Sequence, residues 1–226
     1  MVLVVCDAGH ANGPEIEGED EKVRFRSQGG YMLLIANKEI AEDQEAAVAV
    51  MDSGTSLTRR VCRSTLAAEA AHLAEGVEQA DWLCVFMAEI LDEEPVSMRN
   101  WQDAVDRRKR IWCVDAKSVY DYLTKEGTGH ARDRRMAIEG ALLKEALQRE
   151  KAVLRWIDGT QNIADILTKI GVDKTYLKHV LNTGIWTLVQ HKEAALMKEK
   201  KRNARQRKRE VVRLKKAAAI EDKPAN

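Results

Sequence analysis

Residues 65 to 91, TLAAEAAHLAEGVEQADWLCVFMAEIL, decide the architecture. Leu66, Leu73, Val77, Cys84, Met87 and Leu91 recur there at steps of three, four and seven residues, the repeat of a long helix with one apolar face. Ser64 or Thr65 stands where a helix cap belongs, and no base lies at readable spacing to make either a nucleophile.

Toward the N-terminus the period changes. Leu3 to Cys6 is a short apolar run that reads as a strand terminated by Asp7, and Gly13 to Glu21, with five acids, reads as a solvated loop. Tyr31 to Ala36 and Ala47 to Met51 are further strand candidates, so three strands in an antiparallel meander precede the helix. Beyond it, a polar stretch from Asp92 to Asn100 leads into a fourth strand, Ile111 to Val114, terminated by Asp115. A helix near Lys117 to Leu123, a second over about Arg132 to Arg149, a strand at Ala152 to Ile157 and a helix over Asn162 to Ile170 complete the order βββαβααβα. That order describes an α/β protein: a five-stranded mixed sheet, three antiparallel strands and then βαβ units, flanked by helices.

The 226 residues, 45% of them apolar, supply one respectable core and an appendage. Net charge is only +1, but it is divided. Lys192 to Asn226 holds 13 Lys and Arg against 5 Asp and Glu, leaving 24 against 31 in the first 191 residues. We therefore expect an acidic folded domain over residues 1–188 and a basic tail over 189–226. The tail has strong helix formers but too few apolar residues for a core face, which reads as an exposed basic helix or a disordered segment. Cys6, Cys62, Cys84 and Cys113 lack any paired spacing and read as reduced packing residues. No secretory leader or membrane span is expected, which places the chain inside the cell, in cytoplasm or nucleus.

Taken singly, the acids read as surface solubilisers. Asp7 and Asp115 are unusual because each follows a hydrophobic strand, where a carboxylate is partly desolvated and repelled by any like neighbour. Glu69 lies early in the long helix, and Asp165 lies within Ile163-Ala164-Asp165-Ile166-Leu167. If the first and fourth strands are neighbours, their acids converge at one end of the sheet and two helices can supply the others. Oxygen ligands without His or Cys suit magnesium or manganese, and a magnesium pair is a device for phosphodiester hydrolysis.

The choice of these four comes from a resemblance. Arg63-Ser64-Thr65-Leu66-Ala67-Ala68-Glu69-Ala70 resembles a motif of copia-type retrotransposon ribonucleases H, and Gln161-Asn162-Ile163-Ala164-Asp165-Ile166-Leu167-Thr168-Lys169 resembles that family's closing ADILTK motif. Val5-Cys6-Asp7-Ala8, Arg26-Ser27-Gln28-Gly29-Gly30-Tyr31 and Cys113-Val114-Asp115-Ala116-Lys117-Ser118 are similar in the same order, spanning roughly residues 3 to 185. The resemblance implies a ribonuclease H-like fold, with Asp7, Glu69, Asp115 and Asp165 as catalytic residues holding two Mg2+ ions, Mn2+ being able to substitute. It also implies an RNA–DNA hybrid as partner and a reverse transcriptase domain upstream in a Pol polyprotein. Two features depart from the family. Arg155-Trp156-Ile157-Asp158-Gly159 stands where many ribonucleases H carry a loop histidine thought to aid product release, and Ala116 replaces the usual Asn.

Arg59, Arg60 and Arg63 are candidates for phosphate contacts, as are Lys117, Ser118 and His130, with the tail as a second site for nucleic acid. His72 reads as a core or surface histidine rather than a ligand. The expected activity is endonucleolytic hydrolysis of the RNA strand of a hybrid during reverse transcription. The alternative is a catalytically weak or domesticated nucleic-acid-binding protein on the same fold.

Overall fold

The computed structural model describes residues 1–11, 25–125, 133–149, 152–169 and 171–189. The acidic segment of residues 13–21, His130 and the basic tail lie outside the described residues.

Strand β1 (Val2–Gly9) is the centre of the sheet, and all eight of its residues are buried. Its apolar residues serve two cores, as expected of a strand covered on both faces. Val2, Val4 and Cys6 face one core, while Leu3 and Val5 face the other. β2 (Gln28–Ala36) and β3 (Ala46–Leu57) continue the sheet antiparallel, while β4 (Arg110–Val114) and β5 (Ala152–Trp156) lie parallel on its other side. The order of these five is β5-β4-β1-β2-β3, a mixed sheet with helices on both faces as expected from the sequence. A two-residue strand, β6 (Ile185–Trp186), adds to the five expected by pairing antiparallel with Ala46 and Ala47.

Helix α1 (Thr65–Leu91) has the bounds its periodicity predicts. Its N-terminus is capped by Ser64, whose Oγ accepts from the Ala67 N–H at 3.1 Å, satisfying a donor that the helix leaves free. Leu73, Val77, Ala80 and Cys84 form its buried stripe over β1. At Gly76 the helix approaches so closely that a Cβ would lie 2.5 Å from Cys6 Sγ, so only glycine fits. A short helix, α2 (Trp101–Asp106), contributes Val105 to this core, and α3 (Lys117–Thr124) and α4 (Arg134–Gln148) close it with Val119, Leu123 and Leu143. On the opposite face, α5 (Asp165–Thr168), α6 (Thr175–Thr183) and a 3-10 turn (Lys38–Glu42) surround Ile40, Ile163, Leu177, Val180 and Trp186.

Two expectations are corrected. Asp7 does not end its strand, because β1 runs on to Gly9, held by antiparallel pairing to β2 through Gly9–Gln28. The helix expected over residues 162–170 is confined to Asp165–Thr168. Its approach is instead a turn in which Asn162 Oδ1 accepts from the Ala164 N–H at 3.0 Å, the local competition with helix that Asn side chains offer. Cys6, Cys84 and Cys113 are buried and Cys62 is half-buried, all as free thiols. No helix among the described residues is long and apolar enough to cross a membrane.

Candidate metal centre

Parallel pairing of β1 with β4 stops at Cys6–Val114, so Asp7 and Asp115 are the next residues on neighbouring strands. They emerge side by side where β4 leaves the sheet. Asp165, the first residue of α5, is brought to the same point by Asn162, whose Nδ2 donates to the Cys6 carbonyl at 3.2 Å. One carboxylate oxygen from each of Asp7, Asp115 and Asp165 lies within 4.8 Å of the others. Glu69, in the opening turns of α1, is buried beside them.

The electrostatics show how crowded this corner is. Burial pushes the Glu69 carboxyl up to about 9, helped by the charges of Asp7 and Asp115 and opposed by Lys169. Burial likewise raises Asp115, with Asp7 adding to the effect. Asp165 is pushed up to about 6 by burial, while the hydrogen bond from Lys169 resists the shift. Burial is the largest cause of the rise at Glu69, Asp115 and Asp165, and the charge of Asp7 adds to all three.

Lys169 and Thr168 belong to this site although the sequence reading assigned neither a role. Lys169 Nζ donates to Asp7 Oδ1 at 3.0 Å and to Asp165 Oδ1 at 2.7 Å. The Thr168 hydroxyl donates to the other Asp7 oxygen. Burial pulls the Lys169 ammonium down, but the bonds to Asp165 and Asp7 outweigh it and hold the group above its ordinary range. Both residues stood in the closing motif, three and four positions after Asp165, the spacing that shares a helix face. One ammonium against four carboxyls leaves a deficit of positive charge. The donors are hard oxygens with no histidine or thiol among them, a set that fits a magnesium or manganese ion.

The other candidates are more scattered. Arg59, Arg60 and Arg63 are exposed between β3 and α1, and the first two line a cleft of about 600 Å³ with Ser56, His72, Glu75 and Arg135. His72 is a core residue: its Nδ1 lies 3.2 Å from Glu75 Oε2, and its ring packs so tightly on Gly29 that a Cβ there would overlap it. Lys117 and Ser118 are exposed at the start of α3. Lys117 Nζ sits 5.9 Å from the centroid of the Trp156 ring, whose indole N–H donates to the Asp115 carbonyl at 2.9 Å. In the segment Arg155 to Gly159, Gly159 faces Asp115, a Cβ there falling 3.2 Å from Oδ2. The Arg155 guanidinium turns away to the Ala41 carbonyl at 2.9 Å.

No protein-family model and no curated protein matches the sequence. Among solved structures, the chain is similar to RNase H1 from the halophilic archaeon Halobacterium salinarum NRC-1, with 14% identity and a TM-score of 0.44 over 79% of this chain and 98% of that one. It is also similar to the N-terminal RNase H domain from Mycobacterium tuberculosis solved as a fusion with maltose binding protein, with 14% identity and a TM-score of 0.41 over 80% and 96%. A third, LC11-RNase H1 in complex with an RNA/DNA hybrid, gives 11% identity and a TM-score of 0.40 over 74% and 93%.

Proposed function

We propose that this chain is a metal-dependent ribonuclease H of copia-type retrotransposon origin, hydrolysing the RNA strand of RNA–DNA hybrids. The observation that carries the proposal is the convergence of Asp7, Asp115 and Asp165 within 4.8 Å from three separate elements. These are three of the four acids that the sequence resemblance selects, and the fourth, Glu69, is buried beside them. The acids are far apart in sequence, and a solvated surface has no reason to gather them where each opposes its neighbour's ionisation.

In this reading Asp7, Glu69, Asp115 and Asp165 hold two Mg2+ ions, with Mn2+ as a substitute. When bound, the ions supply an activated water and charge stabilisation at the leaving oxygen. The chain's own residues do the rest. Asp7 is fixed by its pairing with Gly30 on β2, Asp115 directly follows the last paired residue of β4, Asn162 anchors the turn that presents Asp165, and α1 presents Glu69, so the ligands are organised before substrate arrives. Arg59, Arg60, Arg63, Lys117, Ser118 and His130 are assigned to the phosphates and sugars of the hybrid, whose wide minor groove and 2′-hydroxyls are read by shape. Residues 1–188 form the nuclease, and 189–226 act as a basic tether for nucleic acid. The setting is intracellular, cytoplasmic or nuclear, downstream of a reverse transcriptase in a Pol polyprotein.

The test is cleavage of a labelled RNA strand annealed to DNA, in magnesium and in chelator, by the native chain and by Asp115→Asn. Magnesium-dependent cutting that spares duplex DNA and is lost in the variant is the expected result. Hybrid binding without cutting by the native chain would instead identify a binding protein on a nuclease fold.

A further inference from the structure

Lys169 stands where the acid cluster needs a cation. Its Nζ bridges Asp7 Oδ1 at 3.0 Å and Asp165 Oδ1 at 2.7 Å, engaging two of the three carboxylates that converge. Asp7 has a second hydrogen bond, from Thr168, so it is held in place with or without the lysine. The Lys169 side chain is 40% exposed, whereas Asp7 is 1% exposed. The lysine therefore reaches in from the rim on a flexible stem, and its ammonium can return to water by rotamer change alone. A divalent ion held by Asp7 and Asp165 would bring twice the charge and would compete with the ammonium for the same carboxylates.

We propose that Lys169 is a resident counter-cation that neutralises Asp7 and Asp165 in the metal-free protein and is displaced into solvent when a divalent ion binds. The inference rests on the metal-dependent reading above and adds to it that ion binding is an exchange of cations. Two consequences follow from the charges. Affinity for the divalent ion is lower than the bare acids would give, because the lysine's ion pairs are broken on binding. Monovalent cations, no more highly charged than the ammonium and less well placed, do not displace it.

Calorimetric titration of Mn2+ into the full chain tests this with Lys169→Met and Lys169→Arg. Removing the ammonium in Lys169→Met is expected to tighten Mn2+ binding by about tenfold, the scale of one partly exposed ion pair lost to the competition. Lys169→Arg, which keeps the charge, is expected to stay within about threefold of the native chain on the same electrostatic scale. Unchanged or weaker binding by Lys169→Met overturns the exchange while leaving the metal site standing. Absence of Mn2+ binding by the native chain overturns both. A measurement on the native side chain covers the case in which Lys169→Met does not fold. In uniformly 15N-labelled protein, magnesium should move the Lys169 Nζ signal, identified by its loss in Lys169→Arg, to the position of solvated lysines. A signal that stays in place contradicts displacement.

Discussion

At the start of β4 the buried Arg110 guanidinium is held by Asp81 at 2.6 Å and Asp106 at 2.9 Å; just past its other end, Asp115 meets three further acids with a single ammonium among them. The strand has five residues, so the two clusters are separated by roughly 16 Å. Both place charge in the interior, where it costs stability unless paired. At the Arg110 end each acid is within hydrogen-bonding distance of the guanidinium, and the cluster ties α1 and α2 to the sheet. At the Asp115 end the pairing is incomplete: burial and the charge of Asp7 raise Glu69, Asp115 and Asp165, and the Lys169 ammonium opposes them, whereas at Asp81 the Arg110 guanidinium works against the effect of burial. The first cluster reads as structure. The second reads as a binding site held ready, with stability given up for the sake of a ligand.

Substitutions at the two ends should therefore behave in opposite ways. The largest expected effect is on catalysis: if Glu69 is the metal ligand proposed above, Glu69→Gln lowers hybrid cleavage by about a hundredfold or more. Its metal-free stability at pH 7 should hardly change, since the Glu69 carboxyl, pushed up to about 9, already carries a proton there. Cleavage and melting assays on the same preparation decide this, and a large loss of stability would show Glu69 to be structural. At the other end, Arg110→Met should cost about 3–5 kcal/mol in denaturant unfolding, because Asp81 and Asp106 lose their cation. Cleavage per folded molecule should be unaltered, and a drop in activity at constant folded fraction would erase the distinction between the two ends.

A smaller effect concerns pH. The folded Glu69 pKa, about 9, lies above its ordinary value of 4.5, so between these limits the folded protein binds a proton that the unfolded chain has released. Its stability contribution is complete below about 4.5 and is lost as pH rises through 9; Asp165, pushed up to about 6, adds to the decline at the acidic end. Without metal, the melting temperature should therefore fall between pH 5 and 9. Magnesium should oppose the fall, because it takes the ionised carboxyls and binds more tightly as they deprotonate. Thermal scans in chelator and in magnesium across that range check both trends.

Much of this was legible in the sequence, for identifiable physical reasons. Helix α1 was readable to its ends because 27 residues give several turns of one apolar stripe and Ser64 marks its start. β1 and β4 were readable because they are buried on both faces and appear as unbroken apolar runs. β3 was read at less than half its length, since Asp52, Ser53, Thr55 and Ser56 lie on an exposed part of the strand and carry no apolar alternation. β6 and α2 are too short to establish a period. The resemblance picked out the four acids, but only the register of β1 against β4 explains why Asp7 and Asp115 meet. Lys169 was passed over because its role depends on Asp7, 162 residues away, and no local pattern records such a contact.

Whether the acids repel one another until an ion joins them is measured directly by melting of the native chain and of Asp115→Asn, each in chelator and in saturating magnesium. Neutralising Asp115 should make the metal-free protein more stable than the native chain, because a buried charge and its repulsion from Asp7 are both removed. In magnesium the order should reverse, with the native chain gaining stability and the variant gaining little. If Asp115→Asn is less stable in chelator and magnesium leaves both melting temperatures where they were, the acids are structural and the metal centre is contradicted.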